Sequence, residues 1–291
     1  MGKRSTLTLP SALDPEQIDR WLRLGREGGA VFLDYDGTLT PIVDRPEMAT
    51  LSASMRVVLQ RLGEQVPLSV VSGRDITSVI DLVRLDGLGY VGSHGLDIMG
   101  PSGSGLRKKL ALDFVPELDR AEHDLRRQMG DISGVFIERK RFSISIHVRL
   151  VAISERNRVN VMVNGIQHAH PSLRREGGKM LFELRPDIDW DKGRAVSWLL
   201  DATKYDLSTV LFIGDDLTDE TVFKLLAGRG TGIVVAETDR PTDANLRLSN
   251  PSEVYELLER LSQIAGRAKP ANGWHFNQRS VSLERVLESN R

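Results

Sequence analysis

Five short apolar runs set the terms of the fold: Ala30-Val31-Phe32-Leu33, Leu68-Ser69-Val70-Val71, Tyr90-Val91, Val210-Leu211-Phe212-Ile213 and Ile233-Val234-Val235. They are too short for buried helices and lack the polar alternation of a strand with one wet face. Strands buried on both faces read this way, and such strands belong to a parallel sheet covered by helices on each side. The intervening stretches agree. Leu51, Met55, Val58, Leu59 and Leu62 recur at helical spacing. So do Ile76, Val79, Ile80 and Val83, then Ala195, Val196, Leu199 and Leu200, and finally Val254, Leu257, Leu258 and Leu261. Ile18, Trp21, Leu22 and Leu24 mark an opening helix, and Val222, Phe223 and Leu226 one after the fourth run. The pattern predicts an α/β fold with a doubly wound, mainly parallel sheet.

The middle of the chain follows a different rule. Gly100-Pro101-Ser102-Gly103-Ser104-Gly105 is a turn cluster and reads as a domain boundary. A helix is predicted after Pro116, then strands around residues 135–141 and 142–149. In the second, Phe142, Ile144, Ile146 and Val148 alternate with Ser143, Ser145, His147 and Arg149, the mark of an antiparallel strand with one apolar and one polar face. A helix near 155–163 and strands around 166–173 and 179–184 complete an inserted α+β domain. The expected division is a core over 1–104 and 186–265, an insert over 105–185 and a weakly patterned tail over 266–291. At 291 residues the chain exceeds the ~250 at which single cores stop growing.

Composition narrows the chemistry. The 39 Lys+Arg and 40 Asp+Glu give a net charge of −1 with no block of one sign, so nucleic acid is not an expected partner. With no cysteine, thiol nucleophiles, disulfides and thiolate metal sites are excluded. Any metal should be hard and oxygen-bound. Met1-Gly2-Lys3-Arg4 is basic but leads into Ser5, Thr6 and Thr8 rather than an apolar leader, and no apolar run nears the ~18 residues of a membrane span. A cytoplasmic protein without membrane contact is expected. Met1-Gly2 with Thr6 fits the bare myristoylation pattern, which is too common to carry weight.

Asp34-Tyr35-Asp36-Gly37-Thr38 follows the first run. Two carboxylates at the mouth of an apolar core need a cation or hydrogen bonds, and a divalent metal is the first partner to consider. A solvated acidic turn, or the D-x-D of a glycosyltransferase, is equally compatible with this segment alone. Ser72 with Arg74, Lys192, and Asp215 with Asp216 and Asp219 follow other strand or helix-start signals. Each has a plain structural reading: a strand-to-helix turn, a solvated lysine, a helix-capping pair. Their order after successive strands is harder to dismiss, because ligands of open α/β sheets bind beyond the carboxyl ends of the strands, where distant clusters meet.

Together these motifs resemble the haloacid dehalogenase superfamily: D-x-D-G-T at 34–38, the second-motif Ser at Ser72, the third-motif Lys at Lys192, and G-D-D-x-T-D-E at 214–220. More narrowly the chain resembles the trehalose-6-phosphate phosphatase family over roughly residues 30–262. Ser72-Gly73-Arg74, Gly92-Ser93-His94-Gly95, Glu183-Leu184-Arg185-Pro186 and Trp190-Asp191-Lys192-Gly193 carry that resemblance, with Thr218, Asp219 and Glu220 of the acidic motif. It implies a magnesium-dependent phosphatase that hydrolyses trehalose 6-phosphate through an aspartyl phosphate. Asp34 would be the nucleophile and Asp36 the acid and base. Ser72, Lys192 and backbone N–H groups near Gly37 and Gly73 would hold phosphate. Magnesium would take Asp34, the Asp36 carbonyl and Asp215, with Asp219 and Asp216 linked through water or a second layer of contacts.

The insert would be the family's cap. Arg74, His94, Glu138, Lys140, His147, Arg149 and Glu183 are the candidate substrate contacts, although Glu138-Arg139-Lys140-Arg141 also suits a charged strand edge. A functional link to a trehalose-phosphate synthase is also implied. The family's Glu two residues after the H-G pair is here Asp97, which leaves room for another sugar phosphate, such as mannosylglycerate phosphate or a hexose phosphate. A non-catalytic sugar-phosphate sensor is the alternative from a different class.

Overall fold

A computed structural model describes residues 3–27, 29–43, 45–177 and 180–267. Met1, Gly2, Lys179 and the expected tail beyond Arg267 lie outside these. In chain order, β1 (Arg4–Ser5), α1 (Ile18–Arg26), β2 (Ala30–Asp34), α2 (Ala53–Gly63), β3 (Leu68–Val71), α3 (Ile76–Val83) and β4 (Gly89–Gly92) build the first half of the core. Two short strands, β5 (Asp97–Met99) and β6 (Arg107–Lys109), precede α4 (Val115–Met129), β7 (Phe136–Arg139), β8 (Ile144–His147), α5 (Ile153–Ala169), β9 (Leu173–Gly177) and β10 (Leu181–Pro186). The chain then returns through α6 (Lys192–Thr203), β11 (Val210–Gly214), α7 (Glu220–Leu226), β12 (Thr231–Val235), β13 (Pro241–Thr242), β14 (Leu246–Leu248) and α8 (Pro251–Arg267).

The large sheet runs β14-β12-β11-β2-β3-β4-β5-β6, parallel from β14 to β4 and antiparallel beyond. The apolar runs are unbroken because successive residues feed two different cores. Val31 and Leu33 of β2 pack with Trp21, Leu59, Val79 and Leu258 on one face. Ala30 and Phe32 pack with Val196, Leu199, Phe223 and Leu226 on the other. Each such Leu or Phe contributes roughly 1.5–3 kcal/mol through burial. The expected α/β fold is the one adopted, with α4, α5 and a separate antiparallel sheet, β7-β8-β10-β9, forming the inserted unit around its own core.

Three local expectations fail. Residues 100–105 are the hairpin turn between β5 and β6, where Asp97 pairs with Lys109 and Met99 with Arg107, so the chain leaves the large sheet after Lys109 and not at 104. The helix expected at 155–163 runs to Ala169, and Ile166 sits beside Val159 and Val163 on its buried face rather than in a strand. Gly165 does not end it: nothing lies within 4 Å of where its side chain would be, so the helix tolerates it on an open side. Phe142 leaves the cap core altogether and joins Leu96, Ala111 and Trp190 in a small cluster at the joint between the two units. Among the described residues no helix is long and apolar enough to cross a membrane.

β2 lies at the sheet's topological switch, with β3 on one side and β11, reached only after the insert, on the other. Asp34 is in register with Val71, and Leu33 with Ile213. Asp34, Ser72 and Asp215 therefore leave the sheet at one level and face one crevice.

Candidate active site

Strand alternation puts Asp34 and Asp36 on one side and turns Tyr35 into the core. The Tyr35 hydroxyl donates to the Ala49 carbonyl at 2.7 Å, and burial pushes its pKa up to about 12. Gly37 follows at φ 79°, a conformation glycine takes without strain, and a Cβ there would collide with the Asp215 carboxylate. Its N–H is spent on the Thr40 carbonyl at 2.8 Å. Of the backbone N–H groups expected near Gly37, its own is thus engaged by Thr40, and the absent side chain makes room for Asp215.

Lys192, the first residue of α6, is 3% exposed and donates to Asp34 Oδ1 and Asp219 Oδ1, both at 2.7 Å. Burial by itself would lower its pKa, but Asp219 and Asp34 reverse this and raise it, holding the ammonium charged. One cation serves three carboxylates, so the excess negative charge falls on the others. Burial pushes Asp34 well above the usual carboxylate range; Lys192 opposes this, and Asp219 and Asp215 add to it. Asp215 is pushed up to about 7, by burial first and then by Asp219 and Asp216.

Oxygens of Asp34, Asp215 and Asp219 lie within 4.8 Å of one another. Asp215 Oδ1 is buried with no hydrogen-bond partner among the described residues. A charge-deficient, all-oxygen cluster with an orphaned buried oxygen fits a hard divalent cation. Asp219 is the most committed of the three, since its Oδ2 also accepts the Asp216 N–H at 3.0 Å in a reciprocal cap of the turn Leu217–Asp219. The plain reading of Asp215 and Asp216 as a capping pair therefore holds for Asp216 alone, whose partner in the cap is Asp219; Asp215 takes no part in it.

On the other side of β2, Ser72 is 1% exposed, and its Oγ accepts the Arg74 N–H at 3.1 Å. Arg74 forks onto Asp36, with Nε to Oδ2 and Nη2 to Oδ1 at 2.6 Å each. Ser93 and His94 both have positive φ, 50° and 55°, and this tight turn lays the His94 ring over Gly73, where any Cβ would collide with it. Burial, with Lys192, Arg185 and Lys140 adding positive charge, pushes His94 down to about 3. The ring is held neutral, and it both lines the cavity and packs on Gly73.

The roof comes from the polar face of the cap sheet. Glu138 pairs across strands with Ser145, Ser145 with Glu183, and Glu183 with Glu176, a row spanning all four strands. Ser143 Oγ donates to Glu183 Oε1 at 2.8 Å, Lys140 Nζ lies 3.7 Å from the same oxygen, and His147 Nε2 is 2.9 Å from Glu138 Oε2. Ser143 and Ser145 are buried because this face covers the core rather than meeting solvent. The cavity between roof and sheet holds about 610 Å³ and is lined by Asp34, Asp36, Ser72, Gly73, Arg74, His94, Glu138, Lys140, His147, Glu183, Lys192 and Asp215.

Gly37, Asp219, Arg149 and Asp97 do not line it. Asp97 is fully buried in β5, 2.7 Å from Arg107, so its departure from the family's Glu does not reach the cavity wall. Glu176, Gly177, Leu181, Ile42, Val43 and Asp75 line it without having been singled out in the sequence. Glu176 was hidden by the misplaced strand; its alternation within β9 would have revealed it.

A family model for trehalose-phosphatase matches residues 32–252. Trehalose 6-phosphate phosphatase RA3 of Zea mays is 37% identical over 257 residues, 82% of this chain and 71% of that protein. The trehalose-phosphate phosphatase of Mycobacterium bovis is 39% identical over 268 residues, covering 90% and 68%. The solved C-terminal domain of the C. albicans trehalose-6-phosphate phosphatase shares the fold, with a TM-score of 0.72 at 23% identity over 88% of this chain and 99% of that one. On the match across most of its length, with the D-x-D-G-T, lysine and acidic motifs meeting in one crevice, the chain belongs to the trehalose-phosphatase family.

Proposed function

We propose that this chain hydrolyses trehalose 6-phosphate to trehalose and phosphate through an aspartyl phosphate on Asp34. The support is one juxtaposition: a buried Asp34–Lys192 pair on the floor, suited to a phosphate, under a roof of carboxylates and hydroxyls suited to a sugar with many hydroxyls and no other charge. In this reading the unit between Lys109 and Pro186 is the cap.

An Asp34 oxygen attacks phosphorus as the bond from phosphorus to the sugar oxygen breaks, and Asp36 gives that oxygen its proton. Water then attacks the aspartyl phosphate, Asp36 takes the water's proton, and phosphate leaves with Asp34 restored. Arg74 holds Asp36 by both oxygens, which fixes the carboxylate but leaves the fork to be loosened or shared as the proton moves. Ser72, the Gly73 N–H and Lys192 hold the phosphate oxygens. Asp34, Asp215 and the Asp36 carbonyl would hold magnesium, with Asp219 behind them. Its charge would offset the repulsion between an anionic nucleophile and an anionic phosphate. A trehalose-phosphate synthase is the reaction partner this substrate implies.

Phosphate release across a panel of trehalose 6-phosphate, mannosylglycerate phosphate and glucose 6-phosphate tests the assignment. Trehalose 6-phosphate should lead by about a hundredfold, because a roof built to bond hydroxyls is left unpaired by a smaller sugar. Equal turnover of glucose 6-phosphate would defeat the sugar and leave the phosphatase. Asp34→Asn should lose hydrolysis by about four orders of magnitude with the fold intact. Substrate binding by the unaltered chain without phosphate release would favour a sensor instead.

A further inference from the structure

The acidic loop after β11 is held from behind. Arg240, in the loop between β12 and β13, keeps only 20% of its side chain exposed. Its Nη2 donates to the Asp215 carbonyl at 2.8 Å and reaches the Asp216 carbonyl at 3.4 Å. Its Nη1 donates to Glu220 Oε1 at 2.7 Å, and Glu220 Oε2 in turn accepts the Asp243 N–H at 2.9 Å. One guanidinium thus stitches the loops that follow two adjacent parallel strands.

Arg240 is itself anchored by the start of the chain. Its N–H donates to Thr6 Oγ1 and its carbonyl accepts the Thr6 N–H, both at 3.0 Å. Thr6 is fully buried and its Oγ1 also donates to the Thr238 carbonyl at 3.0 Å. Beside it, β1 pairs with β13. A continuous run of hydrogen bonds therefore leads from residue 6 through Arg240 to the peptide of Asp215.

That peptide carries the carboxylate whose Oδ1 is buried and unpartnered. A carbonyl tied to a guanidinium cannot rotate freely, and the side chain on the same residue inherits that constraint. The guanidinium also places positive charge behind a loop bearing Asp215, Asp216 and Asp219, of which Glu220 offsets only part. Arg240 does not line the cavity; its contacts to the site run through the carbonyls of Asp215 and Asp216. We propose that Arg240, anchored by Thr6, is a positioning residue that fixes Asp215 for receipt of a divalent cation. This rests on reading Asp34 and Asp215 as metal ligands.

Titrating Mn2+ into the unaltered protein, Arg240→Gln, Arg240→Lys and Thr6→Val, followed by electron paramagnetic resonance, tests it, with urea midpoints measured in parallel. The unaltered chain should bind the ion, and Arg240→Gln and Thr6→Val should bind it at least about tenfold more weakly, with Arg240→Lys between. Substrate turnover at saturating metal should be largely retained. If Arg240→Gln fails to fold, Thr6→Val carries the comparison. Lower urea midpoints with unchanged Mn2+ affinity would make Arg240 merely structural and overturn the proposal alone. No Mn2+ binding by the unaltered chain would overturn the metal reading, and the proposal with it.

Discussion

Lys192 shows how little freedom a buried residue has when its partners are charged. Two carboxylates at 2.7 Å compensate its desolvation, and removing either partner of such a pair typically costs about 3–5 kcal/mol. His94 obeys the opposite logic, since burial first, and then the positive charge of Lys192, Arg185 and Lys140, denies it a proton. Its folded pKa, about 3, lies below the ordinary 6.5, so between these values the unfolded chain binds a proton that the folded chain refuses. Stability from neutral His94 is full above about pH 6.5 and is lost as pH falls toward 3, at up to about 1.4 kcal/mol per pH unit. Urea unfolding of His94→Gln at pH 6, 5 and 4 should therefore fall less steeply than that of the unaltered chain by about that slope. Parallel lines would show that His94 takes up its proton in the fold. The residues proposed to do the chemistry were legible in the sequence because each lies at a strand end or a helix start. Asp36's tie to Arg74, and the loss of the Gly37 amide to Thr40, were not, since both depend on how the turn closes.

The cap sheet shows what one strand face can be made to do. Glu183 and Glu176 are directly opposed across β10 and β9, an arrangement that destabilises a sheet. Ser143 and Lys140 on one side, and Arg185 at 2.8 Å from Glu176 on the other, offset it. In the proposed function, such a row serves the substrate rather than stability. Glu183→Gln should raise KM for trehalose 6-phosphate about tenfold, the worth of one charge-assisted hydrogen bond, while the urea midpoint holds or rises slightly. A lower midpoint with unchanged KM would make the row structural. Five of the six parallel strands were legible because burial on both faces leaves continuous apolar runs; β14, Leu246-Arg247-Leu248, was not, because its half-buried Arg247 breaks the run. β6 was not: Arg107-Lys108-Lys109 is a basic edge strand whose pairing is set by the hairpin turn, not by apolar pattern. The end of α5 was misplaced because Ile166 was assigned to a strand, whereas it continues the buried face of Val159 and Val163.

At the scale of the whole molecule, core and cap meet at an apolar joint around Phe142 and at polar contacts such as Asp75 with Arg141, and two units with separate cores are expected to move against each other. Closure would exclude water while Asp34 is attacked and reopening would admit it for the second step. Asp75 is placed to govern that motion. It occupies the N-cap position of α3 yet makes no capping bond there. Its Oδ1 accepts the Ser93 hydroxyl, and its Oδ2 accepts the backbone N–H of Arg141 from the cap, both at 2.8 Å. A residue type that would ordinarily add about 1 kcal/mol to its own helix is spent on the other unit instead. In Asp75→Ala, amide hydrogen exchange at Arg141 should quicken about tenfold, the loss of one hydrogen bond of about 1.4 kcal/mol, while the amides of β2 and β11 keep their protection. Turnover per KM should fall with it. A fall in turnover with exchange at Arg141 unchanged would mean that Asp75, which also lines the cavity, acts on the substrate and does not hold the cap.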